Sequence, residues 1–198
     1  MIVKHSNDFL KQRSNHGKLI MVSKELEKFN KNQIKIINNS MALAEELVSE
    51  HYKMSASQWL RGRYDVKTLA DLTADEIIPG PFAQIIRNEA KKKDTFLGSS
   101  TYDFYKICLQ DHSILAALAR TPQMELFSFS LYILAHELIH IVRFGQFLQN
   151  FNATEDEKLE EETRVHEQTY QILKPLRLPG LNEVFHFYIK WRTGRQNL

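Results

Sequence analysis

The chain has 198 residues, 43% of them hydrophobic, a net charge of +2 and a single cysteine, enough for one well-packed domain and short for two. Near-neutral charge gives no electrostatic case for nucleic acid, and the basic runs Arg61-Gly62-Arg63 and Lys91-Lys92-Lys93 lack interleaved stacking aromatics. One cysteine forbids an intrachain disulfide, no stretch reads as an uninterrupted membrane span, and residues 1–18 carry no apolar signal core, so a cytoplasmic location with no membrane partner is expected.

Over residues 22–52 the apolar positions Ile34, Ile37, Met41, Ala44, Val48 and Tyr52 recur at helical spacing. This predicts one long helix, or two broken at Asn38-Asn39-Ser40, whose side chains compete for backbone hydrogen bonds. Irregular spacing near residues 29–34 favours packing on its own domain over a partner-binding role. Thr73 and Glu76 have capping-box spacing and predict a short helical segment, after which Pro79-Gly80-Pro81 breaks the chain. Residues 82–89 and 102–110 predict a β-hairpin around a polar turn at 93–99. In its second arm Tyr105, Ile107 and Leu109 share one face, and Phe104, Lys106, Cys108 and Gln110 the other.

Thr121-Pro122 reads as an N-cap and first helical residue, opening a helix whose run 124–147 is apolar on nearly every face and therefore a core helix. A short loop at 150–153 leads to the capping box Thr154 to Glu157, which starts an antiparallel helix that stops near Pro175. Trp59, Trp191 and Phe185-His186-Phe187-Tyr188 read as the core of a small helical layer. The fold class is α+β, mostly α: a single domain over 1–198, with a helical N-terminal layer at 1–80 and a core at 81–198 in which the hairpin precedes the buried helix.

In the middle of that helix stands Ala135-His136-Glu137-Leu138-Ile139-His140. Residues i and i+4 share a face one turn apart, so His136 and His140 can grip one metal ion with Glu137 beside it. Neutral imidazoles suit Zn²⁺, and an adjacent carboxylate can take a proton from water. Burying two histidines and a glutamate without partners is costly, so something must satisfy them.

A catalytic zinc takes three protein ligands. Counting back from a turn centred near Asn152 sets residue 164 opposite His140 and residue 168 opposite His136, so the third ligand is sought at 161–168. There the stripe Leu159, Glu162, His166, Tyr170 and Leu173 steps by three and four along a core-facing line. Two assignments stand. Either Glu162 is the ligand and His166 a supporting or transition-state group, which is preferred, or His166 is the ligand and Glu162 orients it. All four side chains together would close the site and favour a structural role.

His136-Glu137-x-x-His140, followed by a glutamate on a separate helix, resembles the gluzincin arrangement of the zincin superfamily of zinc metallopeptidases. The likeness covers the motif helix and the next one; where gluzincins carry an acid four residues after the glutamate, this chain has His166. The stretch from 98 to 110 and on through Arg143-Phe144 also resembles an uncharacterised group of bacterial proteins. The zincin resemblance implies a zincin-like fold in which a strand edge receives an extended protein or peptide substrate. It further implies Zn²⁺, a water activated by it, and Glu137 as general base and later proton donor. A second donor for the developing oxyanion would come from His166, Tyr170, Arg143 or His112, of which His166 and Tyr170 are the catalytic candidates.

Peptide deformylases join this motif to a cysteine in a G-C-L-S-like turn, but Lys106-Ile107-Cys108-Leu109-Gln110 shares only Cys-Leu, so Cys108 reads as a buried structural thiol. The metzincin extension H-E-x-x-H-x-x-G-x-x-H is absent from His140-Ile141-Val142-Arg143-Phe144-Gly145. Two other functions compete: a non-catalytic zinc-stabilised module whose N-terminal helix binds a protein, and an amidase with a closed pocket for a small molecule.

Overall fold

The computed structural model describes residues 26–55, 64–91, 101–146, 148 and 154–193. The fold is α+β and mostly helical. Helix α3 (Leu126–Gly145) runs through its centre, and between Ser128 and Phe144 every residue of α3 except Glu137 is buried. By length and composition alone α3 is long and apolar enough to cross a membrane, contrary to the expectation from the sequence. With 83% of its apolar window buried inside the protein, it has the surroundings of a core helix.

Helix α1 (Lys31–His51) lies along α3. Asn30 caps it by accepting from the Asn32 and Gln33 amides, and Gln33 returns a bond to the Asn30 amide at 2.8 Å. The helix is continuous through Asn38-Asn39-Ser40, contrary to the expected break. Both asparagines face solvent, while the Ser40 hydroxyl satisfies itself on the Ile36 carbonyl and meets the Ser130 hydroxyl of α3, each at 2.9 Å. Residues 22–25 of the predicted segment lie outside the described residues.

The predicted hairpin is present as β2 (Ala83–Lys91) and β3 (Thr101–Leu109), antiparallel with Ile85 opposite Ile107; its turn at 93–99 lies outside the described residues. A strand the sequence reading missed, β1 (Tyr64–Lys67), pairs in parallel with the other side of β3, giving the order β1-β3-β2. The layer expected to be helical up to residue 80 therefore contributes a strand to the sheet of the second part. β3 is central with both edges taken, so the open edge among the described residues falls to β2 and β1.

As predicted, Tyr105, Ile107 and Leu109 point into the core, and the Tyr105 ring stacks on Phe144 of α3 at 6.0 Å. The opposite face is covered by the 3₁₀ turn Ala74–Glu76, whose Glu76 pairs with Lys106. Gln84 and Gln110 donate to the Glu76 carbonyl at 2.8 and 3.0 Å, and the Ile78 amide donates to Gln110 at 3.1 Å. Gln110 is thereby bonded through both its oxygen and its nitrogen, whereas Gln84 is bonded through its nitrogen alone and its buried Oε1 has no partner among the described residues.

Helix α2 (Asp111–Arg120) was not foreseen, and Thr121-Pro122 does not open α3. The Thr121 amide instead closes α2 on the Ala117 and Leu118 carbonyls, and α3 begins only after the turn, with Glu125 as its N-cap. Proline after threonine marks the end of one helix here as readily as the start of another. Asp111, buried at the first turn of α2, accepts from the amides of Phe29 at 2.9 Å and Leu69 at 3.0 Å, tying two distant segments together.

Helix α4 (Glu155–Leu173) starts at the predicted Thr154 cap and returns antiparallel to α3, followed by α5 (Leu181–Phe187) and α6 (Ile189–Arg192). The loop at 150–153 and Trp59 lie outside the described residues. Gly180, at φ 70°, precedes α5 in the left-handed region. A Cβ there would lie 2.6 Å from the Glu125 amide nitrogen, so only glycine lets this turn press on the start of α3. The Ser128 hydroxyl fixes the same junction by donating to the Pro179 carbonyl at 2.7 Å.

Asp111→Ala leaves two buried amides unpaired and should lower stability by about 3 kcal/mol; an unchanged urea midpoint would remove Asp111 as the tie. Burial pushes the Cys108 thiol up to about 12. The folded protein should therefore resist iodoacetamide at pH 8 and react in guanidinium, while rapid labelling of the native state would contradict the burial.

Candidate metal centre

The His136 and His140 rings emerge from α3 on the side facing α4, with their Nε2 atoms 3.1 Å apart. Glu162 of α4 straddles them, Oε2 standing 3.3 Å from His136 Nε2 and Oε1 3.2 Å from His140 Nε2. A tetrahedral zinc with bonds of about 2.0–2.1 Å holds its donor atoms about 3.3 Å from one another. Two imidazole nitrogens and a carboxylate at this spacing form a three-sided cradle for a divalent cation. His140 is buried outright, His136 nearly so, and Glu162 keeps 22% exposure on the open side.

A second set shares His136 and Glu162 but takes a ring nitrogen of His166, all within 4.8 Å of one another. The donors of the first set, at 3.1–3.3 Å, are the tighter; in the second, His166 stands in the place of His140. Glu162 falls within the predicted window at 161–168. It faces the midpoint between His136 and His140, whereas the count had set residue 164 opposite His140.

His166 stands one turn after Glu162, its ring 4.3 Å from His136 and 5.1 Å from Tyr188. The Tyr132 hydroxyl lies 3.0 Å from its Nδ1, and the Tyr132 ring stacks on Tyr188 at 4.2 Å. Burial, and next the neighbouring His136, lower the His166 pKa to about 2, so the imidazole is neutral. Burial likewise raises Tyr132 and Tyr188 well above ordinary phenols, so both keep their protons. Tyr132 escaped the sequence reading, although it sits one turn before His136 on the same stripe; an aromatic residue in an apolar run gives no sign that its hydroxyl will meet a histidine.

Glu137 is half-buried on α3, and its charge is felt at Cys108 and Tyr188. Among the described residues its carboxylate has no hydrogen-bond or ion-pair partner. His136 Nδ1 likewise lacks one. Tyr170 contacts Phe185 at 4.8 Å and carries the Arg192 guanidinium over its ring at 3.6 Å. Those contacts tie it to the C-terminal helices rather than to the cradle. Cys108 lies on the sheet face under Glu76, not among the clustered donors. His112 sits at the start of α2, outside the cluster.

Arg143, weighed above as an oxyanion donor, has another task. Its guanidinium is buried against Glu161 through two nitrogens, and Arg164 adds a third bond to Glu161 at 3.0 Å. Tyr52, at the end of α1, donates to Gln168 of α4 at 3.0 Å. These bonds fix the register of α4 on α3 beside Glu162. Glu161→Ala strands a buried guanidinium and should cost about 3–5 kcal/mol in a denaturation experiment; a loss no larger than that of an exposed pair would remove it as the register lock.

No protein-family model, curated protein or solved structure matches the chain.

Proposed function

We propose that this protein is a zinc-dependent hydrolase of zincin type, a metallopeptidase in which His136, His140 and Glu162 hold the ion and Glu137 is the general base. The observation that carries this reading is the convergence of two imidazole nitrogens and one carboxylate at 3.1–3.3 Å on a buried helix. A cation held there would supply the positive charge that polarises a substrate carbonyl and acidifies a nearby water.

Glu137 follows His136 directly, is half-buried, and has no protein partner among the described residues. It is free to take the proton of the attacking water and return it to the leaving amine. The water oxygen bonds to the carbonyl carbon, the C–N bond breaks, and the products are a carboxylate and an amine. β2, which packs against α3, has an open edge that suits an extended peptide added as a further strand. The apolar walls around His166 and Tyr188 limit water and strengthen charge interactions at the site.

A second reading, a catalytically inactive zinc-stabilised module that binds a protein, is favoured by the nearness of His166. A fourth ligand would close the site. Elemental analysis of the purified protein should find about one zinc per chain, lost in His140→Ala. Glu137→Gln should keep the zinc and lose peptide hydrolysis on the order of 10²- to 10⁴-fold. Full activity in Glu137→Gln would sink the mechanism; stoichiometric zinc with no hydrolysis of a peptide library by the native protein would favour the second reading.

A further inference from the structure

We propose that Tyr132 is a positioning residue that sets the tautomer of His166, so that His166 presents an Nε2–H hydrogen-bond donor to the substrate carbonyl and does not bind the metal. This rests on the zinc-hydrolase reading of the same site and names the group that would meet the developing oxyanion.

The Tyr132 hydroxyl has one proton to give and can also accept: it lies 3.0 Å from His166 Nδ1, where the ring tautomer decides which group donates, and 3.4 Å from the His166 carbonyl, to which it can donate instead. That carbonyl lies inside α4, where it has the helical amide four residues on as its partner. The closer, otherwise unpaired Nδ1 takes the proton. A neutral imidazole that accepts at Nδ1 must carry its own hydrogen at Nε2. No described residue takes up Nε2, and the ring lies against His136 at 4.3 Å, beside the cradle. A protonated Nε2 has no lone pair to give a cation, but it can donate to an oxygen bound there.

Packing holds the arrangement in place. The Tyr132 ring is clamped on Tyr188, and His166 is flanked by Tyr188 and Trp191, so neither side chain can turn to exchange its partner without opening the aromatic cluster. His136 differs: its Nδ1 has no partner among the described residues, so no hydroxyl fixes its tautomer, and a cation held beside Glu162 would draw the Nε2 lone pair and leave the hydrogen on Nδ1. Two histidines that look equivalent in sequence are thus given opposite parts by one hydroxyl.

The test is a long-range proton–nitrogen correlation spectrum of the full-length, ¹⁵N-labelled, zinc-loaded protein, with zinc content measured alongside. His166 should show a bare Nδ1 and a protonated Nε2, and His136 and His140 bare Nε2 atoms. In Tyr132→Phe the zinc should stay while the His166 tautomers mix. His166→Ala should weaken zinc binding by no more than about 10- to 100-fold, whereas His136→Ala should abolish stoichiometric binding. A bare Nε2 on His166 in the native protein, or loss of zinc in His166→Ala, would overturn the proposal and make His166 a ligand. Absence of zinc from the native protein would overturn the metal reading instead, and the His166 tautomer would still be read in the same spectrum without any variant.

Discussion

Helix α3 is buried on all sides but one, so every polar group it carries needs a partner within the fold. Ser130 meets Ser40 of α1 and Ser128 meets the Pro179 carbonyl. Along the side that faces α4, Tyr132 meets His166, His136 and His140 meet Glu162, and Arg143 meets Glu161. Those residues step by three and four, so a single stripe of α3 carries the polar side chains that α4 answers turn by turn. Glu137 lies off that stripe and is the half-buried exception.

The register between α3 and α4 decides whether this polar stripe is a site or a defect. A slide of one turn would carry Glu162 about 5.4 Å along the axis, out of reach of both histidines. The Arg143–Glu161 pair lies one residue from Glu162 and Tyr52 bonds Gln168 on the same helix, so α4 is fixed from two neighbouring helices. A buried ion pair is weak evidence of net stability, but it penalises misalignment because any other register leaves a charge unpaired in the core. The accuracy of the cradle therefore comes from the residues around it as much as from the ligands themselves.

The end of the site towards the C-terminus is built of rings. Tyr132, Tyr188, Trp191 and Phe187 pack around His166, excluding water and keeping both phenols and the imidazole neutral. The opposite wall is the sheet, where Tyr105 stacks on Phe144 and the 3₁₀ turn at Glu76 seals the far face. Gly180 allows the α5 turn to sit against the start of α3, which brings Tyr188 to Tyr132. The site is thus enclosed by elements from both halves of the chain.

Local periodicity made much of this legible in the residues alone. The i, i+4 spacing of His136 and His140, the all-round apolar run of their helix, the Thr154 capping box, the hairpin alternation and the stripe through Glu162 and His166 depend only on neighbours a few positions away. Tertiary structure decided the rest. β1 is four residues long and finds its partner some 40 residues on, a pairing with no short-range signal. Thr121-Pro122 fits a helix end as well as a helix start, and Asn38-Asn39-Ser40 stays helical because the asparagines reach solvent and Ser40 finds Ser130. Whether Glu162 or His166 completes the cradle, and what Arg143 and Tyr132 do, turns on distances of an ångström or less across two helices. A sequence specifies which faces meet, but only packing fixes how far apart the atoms on those faces come to rest.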